Sequence, residues 1–336
     1  MTFDPNAPGA KGSIFGLPYS EDEASIIILP VPWDLTTSYS DGTSNGPKEV
    51  LEASRQLDLE LHGTQDVWKT PIWMAPISEE ILKKNKALRL QVKPYLDGLE
   101  YNSNTYQQAK QLIDKVNKAC RNLKDQIKGQ SIFYLNQEKL VGILGGEHSA
   151  PLGLLEALSE KHDNFGILQF DAHMDLRKSY EGFEQSHASI MYNALQLPQV
   201  SKLVQVGIRD YCPEELKLVN DSKDRVEVFF DDVIKSKLYQ GKTWDKICID
   251  IIKLLPENVY ISFDIDGLNP HLCPGTGTPV PGGLEYQEVI YLIRQLKRAG
   301  KKVIGFDLCE VSPKDNDKGW NGNVGARVLY NLCNSQ

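Results

Sequence analysis

The sequence predicts an α/β fold in which one central, mostly parallel sheet is covered by helices, and three observations carry that expectation. Short apolar runs recur along the chain. They are continuous rather than alternating, as in strands buried on both faces, and helical patterns lie between them. The runs are SIIILPV at 25–31, LVGILGG at 140–146, FGILQFDA at 165–172, KLVQVGI at 202–208, VEVFFDD at 226–232, VYISFDID at 259–266 and KVIGFDL at 302–308.

Helices are expected from Pro47 in PKEVLEASRQL, where proline suits a first helical turn, from Pro151 in PLGLLEALSEKH, and in LEYQEVIYLIRQLKRAGKK, which stops at Gly300. Strand and helix alternation implies right-handed βαβ connections. The segment from about 78 to 130 differs: it is rich in Lys, Asn and Gln, has helical spacing and no strand of its own. It is expected to be a helical elaboration that covers a sheet edge or a subunit contact, within a single domain spanning 1–336.

Composition narrows the function. With 41% hydrophobic and 24% charged residues among 336, the chain has the make-up of an ordinary soluble globular protein. A net charge of −8 and the lack of any Lys/Arg tract argue against nucleic acid as a partner. Six scattered cysteines without a CxxC pair are expected to be reduced, mostly buried thiols rather than a zinc or disulfide framework. No basic-then-apolar leader opens the chain, and no run nears the roughly 18 apolar residues of a membrane helix, so a cytoplasmic protein without a membrane partner is expected.

The chemistry concentrates in three places. In QFDAHMDLRK, Asp171, His173 and Asp175 occupy alternate positions behind an apolar run, so an extended chain end presents all three to one side. Strand-end aspartates also cap helices, and a lone histidine is commonly a satisfied polar residue, so this segment alone leaves both readings open. ISFDIDGLNP repeats the device with Asp264 and Asp266, which would repel each other unless a cation neutralised them. In LGGEHSA, Gly145 and Gly146 allow a tight turn ahead of His148. Four carboxylates and two imidazoles without a thiolate suit a hard or borderline ion such as Mn²⁺, and six ligands suit a dinuclear centre.

These motifs, as GGEHS, DAHMD and SFDIDGLNP in that order, resemble the arginase/agmatinase, or ureohydrolase, family. PVPWDLTTSYSDGTSNGPKEVLEAS near the start, GTGTPVPGGL at 275–284 and DLCEVSP at 307–313 extend the similarity over most of the chain. The resemblance implies a three-layer α/β/α fold with a sheet of about eight strands and two Mn²⁺ ions per subunit, with Ni, Fe or Co as alternatives. It also implies a homo-oligomer, trimeric or hexameric. By similarity His148, Asp171, Asp175 and Asp264 would hold one ion, and Asp171, His173, Asp264 and Asp266 the other. Glu310 matches the family glutamate that pairs with a substrate guanidinium, and His187, in EQSHASIMY, the histidine that moves protons.

The implied reaction is hydrolysis of a small guanidino substrate to urea and an amine by a metal-bridging hydroxide, with Asp175 hydrogen-bonding the tetrahedral intermediate. DLRKSYEGFEQSHASIMYNAL looks closer to agmatinase-like members than to true arginases, which favours agmatine. Arg177 and Lys178 leave carboxylate-bearing substrates open: guanidinobutyrate, arginine or formimidoylglutamate, with free guanidine a further alternative. Two departures from the family pattern stand out. Glu147 replaces a frequent aspartate, and Asn269 replaces the aspartate common before Pro270, which would weaken support for a metal ligand if that aspartate orients one.

Overall fold

The computed structural model describes residues 3–100, 109–315 and 317–336. Its sheet has eight strands: β1 (Ile26–Val31), β2 (Ile72–Met74), β3 (Leu140–Gly145), β4 (Phe165–Phe170), β5 (Val200–Ile208), β6 (Val226–Phe230), β7 (Asn258–Phe263) and β8 (Lys302–Leu308). The spatial order is β2-β1-β3-β8-β7-β4-β5-β6, and every pairing is parallel. Seven of these strands coincide with the apolar runs. The eighth, β2, has only three residues at the sheet edge, too few to carry a pattern.

Among the described residues the helices are α1 (Gly46–Ser54), α2 (Glu79–Glu100), α3 (Lys110–Leu135), α4 (Leu152–Ser159), α5 (Ile190–Ala194), α6 (Pro213–Asp221), α7 (Asp231–Tyr239), α8 (Trp244–Leu254), α9 (Tyr286–Arg298) and α10 (Trp320–Cys333). They form two layers. Ile26 and Ile28 of β1 face one apolar layer together with α1, α8, α9 and α10, while Ile27, Leu29 and Val31 face the other with α2, α3, α4 and α5. Strands sandwiched in this way have no solvent face, which is why their sequences do not alternate.

Two sequence expectations shift in detail. The run at 226–232 stops as a strand at Phe230, because Asp231 and Asp232 open α7, where carboxylates favour the positive helix end. The helices α2 and α3 lie over a face of the sheet, not along its edge, which β2 occupies. Contact between α3 and α4 is close: a Cβ on Gly153 would sit 2.5 Å from the Lys124 carbonyl oxygen.

Candidate active site

The four central neighbours β3, β8, β7 and β4 all point their carboxyl ends at one crevice, where open parallel sheets place ligands. The chain leaves β3 through Gly146, Glu147 and His148, leaves β4 through Asp171 to Asp175, leaves β7 through Asp264 and Asp266, and leaves β8 towards Glu310. Two glycines make room for this convergence. A Cβ on Gly146 would lie 2.1 Å from the Trp33 carbonyl oxygen, and one on Gly267 would lie 2.7 Å from the Asp171 amide nitrogen. Asp175 and Glu310 have left-handed backbones, with φ of 54° and 64°, a strain that persists only where surrounding structure enforces it.

The six side chains expected from the motifs meet. His148 Nδ1 lies 3.0 Å from both Asp171 Oδ2 and Asp175 Oδ2, and 3.4 Å from Asp264 Oδ2. His173 Nδ1 lies 3.1 Å from Asp266 Oδ2 and 3.5 Å from Asp171 Oδ1. The groups His148–Asp171–Asp264 and Asp171–His173–Asp266 each bring one ligand atom per residue within 4.8 Å of the others. Asp171 belongs to both and faces each with a different oxygen. Asp264 is placed in the first group alone, its second oxygen accepting from the Asp266 amide at 2.9 Å.

Residues that the motif reading passed over orient this set. Gln169 Nε2 donates to Asp171 Oδ2 at 2.8 Å, and Gln205 Nε2 donates to Gln169 Oε1 at 2.6 Å. Ser262 Oγ lies 2.9 Å from His148 Nε2. Asp307 stands 3.6 Å from the same nitrogen while accepting from the Tyr260 hydroxyl at 2.8 Å and the Phe263 amide at 3.0 Å. All four are fully buried. A signal existed: each is a polar residue interrupting a strand that is otherwise apolar on both faces, where an unpaired polar group is costly.

The electrostatics call for positive charge. Burial lifts the carboxyls of Asp175, to about 7, and of Asp264, and carboxylate neighbours push both further in the same direction. Burial alone would lower His148 and His173, yet the surrounding carboxylates hold both well above the ordinary imidazole value. Crowding of this kind leaves polar atoms stranded. His148 Nδ1 and Asp266 Oδ2, despite the ionic neighbours at 3.0 and 3.1 Å, form no well-aligned hydrogen bond, and neither does buried Glu310 Oε2. An oxygen-rich donor set with two imidazole nitrogens aimed inward fits divalent cations.

A cavity of about 490 Å³ opens onto the cluster. His148, His173, Asp175, Asp264 and Glu310 form its inner wall, and His187, Arg177, Tyr180, Tyr39, Asp210 and Tyr211 also line it. Glu310 Oε1 accepts from the His148 amide at 2.8 Å, leaving Oε2 for a ligand. Burial, followed by the positive neighbours His173 and Arg89, lowers His187 to about 3, so its imidazole is neutral. Arg177 stacks over Tyr180 at 4.7 Å, whereas Lys178 is exposed and does not line the cavity. Asn269 stands apart from the cluster: its side chain bonds the His271 amide and Glu285, so the substitution noted in the third motif touches no clustered ligand. Buried Glu147 accepts from the Thr36 amide at 2.7 Å and from Ser149, tying the β1 loop to the site.

The model of the arginase family matches residues 24–334. N(1)-aminopropylagmatine ureohydrolase of Thermus thermophilus is 32% identical over 292 residues, 87% of this chain and 84% of its own length. Guanidinobutyrase of Pseudomonas aeruginosa is 28% identical, covering 96% of this chain and 92% of its own. The crystal structure of agmatine ureohydrolase of Thermoplasma volcanium superposes with a TM-score of 0.73 at 24% identity, covering 97% of this chain and 94% of the other.

Proposed function

This chain belongs to the arginase family of hydrolases that cleave amidino C–N bonds, and from that premise we propose that it is a metal-dependent ureohydrolase of a small guanidino substrate with a cationic tail, agmatine being favoured. The observation that carries the reading is Glu310, a buried carboxylate with one unpartnered oxygen on the wall that the His/Asp cluster shares. Burial and the charge of Glu147 disfavour its ionised form, and a planar guanidinium, by donating paired charge-assisted hydrogen bonds, restores it.

His148, Asp171, Asp175 and Asp264 would hold one divalent ion, and Asp171, His173, Asp264 and Asp266 the other, manganese being the expected metal. When bound, such a pair supplies a hydroxide nucleophile at neutral pH. The residues of the chain do the rest. Glu310 fixes the guanidinium plane against the cluster, which substitutes preorganised geometry for random encounter. Asp175, on the cavity wall, accepts a hydrogen bond from an N–H of the tetrahedral adduct. His187, neutral where it sits, relays a proton from solvent to the departing nitrogen, so that the C–N bond breaks to give urea and an amine. The family match over 24–334 supports reading the chain as one catalytic unit, with α2 and α3 as its elaboration.

On the cavity wall Asp210 is an exposed carboxylate 3.9 Å from His173 Nε2, and Tyr211 and Tyr39 line the same cavity, a setting that suits an ammonium tail. Arg177 on the same wall favours a second reading, a substrate ending in a carboxylate such as guanidinobutyrate. Urea release from manganese-loaded protein, compared across agmatine, guanidinobutyrate and arginine, tests both. Preference for agmatine supports the first reading, preference for either acid the second, and no urea from any of them would discard the proposal.

A further inference from the structure

Two buried asparagines, one on each helix of the elaboration, are spent entirely on loops that line the cavity. Asn85 of α2 is 1% exposed; its Oδ1 accepts from the Asp34 amide at 3.0 Å and its Nδ2 donates to Asp34 Oδ1 at 2.6 Å. Asn117 of α3 is 6% exposed; its Oδ1 accepts from the Glu184 amide at 3.0 Å and its Nδ2 donates to the Gly182 carbonyl at 3.1 Å. A buried amide satisfied at both ends is a rigid two-point clamp, because releasing either end leaves a polar group without a partner. Two further bonds come from α2: Arg89 Nη1 donates to the Leu35 carbonyl of the first loop at 3.1 Å, and the Tyr95 hydroxyl reaches the second loop, donating to the Glu181 carbonyl at 3.1 Å.

The loops held in this way are the substrate side of the cavity. The first, after β1, brings Ser38 and Tyr39 to the wall; the second, after β4, brings Arg177, Tyr180 and His187. Thr36 joins them, its hydroxyl accepting from the His187 amide at 3.2 Å. None of these bonds is made to a clustered aspartate or imidazole, which stand at or just beyond the ends of β3, β4 and β7. We propose that α2 and α3 act as a positioning scaffold for substrate recognition, with Asn117 and Tyr95 fixing the loop that carries His187 and Arg177. This rests on the reading of the cavity as the guanidino site.

The test compares full-length wild type with Asn117→Ala, Asn117→Asp and Tyr95→Phe, measuring KM and kcat for agmatine and guanidinobutyrate, bound manganese per chain, and hydrogen exchange of the amides from 180 to 187. Expected for Asn117→Ala is a KM raised by about tenfold, as for a displaced binding group, with faster exchange over 180–187 and unchanged manganese. Asn117→Asp, which keeps the acceptor for the Glu184 amide, should fall between. Wild-type KM and exchange in Asn117→Ala would overturn the proposal, as would loss of manganese and kcat with KM unmoved. Should Asn117→Ala fail to fold, Tyr95→Phe decides, since it removes one hydroxyl and keeps the ring: faster exchange over 180–187 with a raised KM upholds the scaffold, and wild-type values for both overturn it. A wild type inert on every guanidino compound would defeat the functional reading, while the exchange measurement still decides the anchoring.

Discussion

The amide of Gln169 donates to Asp171 Oδ2 at 2.8 Å, from two residues earlier on the strand face that delivers Asp171 to the crevice. Gln205 on the adjacent strand holds Gln169 in turn, so the orientation of the carboxylate shared by both clusters is set from within the sheet. Replacing Gln169 with Leu should therefore weaken manganese binding by about 10- to 100-fold, the usual cost of losing a partner that aims a metal ligand. Titration calorimetry against wild type checks it, and equal affinities would remove Gln169 from the account.

Glu310→Gln keeps the shape of the side chain and discards its charge. Since burial and Glu147 disfavour that charge in the protein alone, the variant should fold at least as well as wild type, while KM for a guanidino substrate rises by about 10- to 100-fold, the scale of losing a hydrogen bond to a charged group. Thermal melting and steady-state kinetics separate the two effects. A fall in melting temperature with unchanged KM would make Glu310 a structural residue.

Gly153 faces the backbone of α3, and a methyl group there would meet the Lys124 carbonyl oxygen at 2.5 Å and the Lys128 amide nitrogen at 2.8 Å. Neither atom can move without shifting the helix. Gly153→Ala should cost about 1–3 kcal/mol, despite the higher helix propensity of alanine. Denaturant unfolding measures it, and a stabilised variant would show that the α3–α4 spacing is loose.

Burial raises the Glu181 carboxyl from 4.5 to about 7, the arginines Arg89 and Arg177 only partly opposing the rise. The folded state thus holds a proton that the unfolded chain releases at lower pH. The resulting stabilisation is fully present below about pH 4.5 and is lost as pH rises through about 7. Melting temperature followed from pH 5 to pH 8 should decline less in Glu181→Gln than in wild type. Parallel curves would mean that Glu181 is ionised in the fold.

Much of this molecule is legible in its sequence because the physics acts locally. Strands buried on both faces are apolar along nearly their whole length, so seven of the eight announce themselves, and alternate-residue spacing at strand ends marks Asp171, His173, Asp264 and Asp266 as candidates that the three motifs together single out. β2 escaped because a three-residue edge strand has no period. Gln169, Gln205, Ser262 and Asp307 escaped for a different reason: their role depends on which strands become neighbours, and that order, with β8 inserted beside β3 and β7 beside β4, is set by long-range pairing. The clamps of Asn85 and Asn117 are likewise invisible in a helix that reads only as polar and periodic.

The central claim is tested most directly by titrating metal-free protein with manganese and following urea formed from agmatine. Activity should rise from near zero and level off at about two ions per chain, the number that a dinuclear centre requires, and Asp264→Asn should abolish it. Saturating manganese with no urea from agmatine, guanidinobutyrate or arginine, or full activity in Asp264→Asn, would contradict the account.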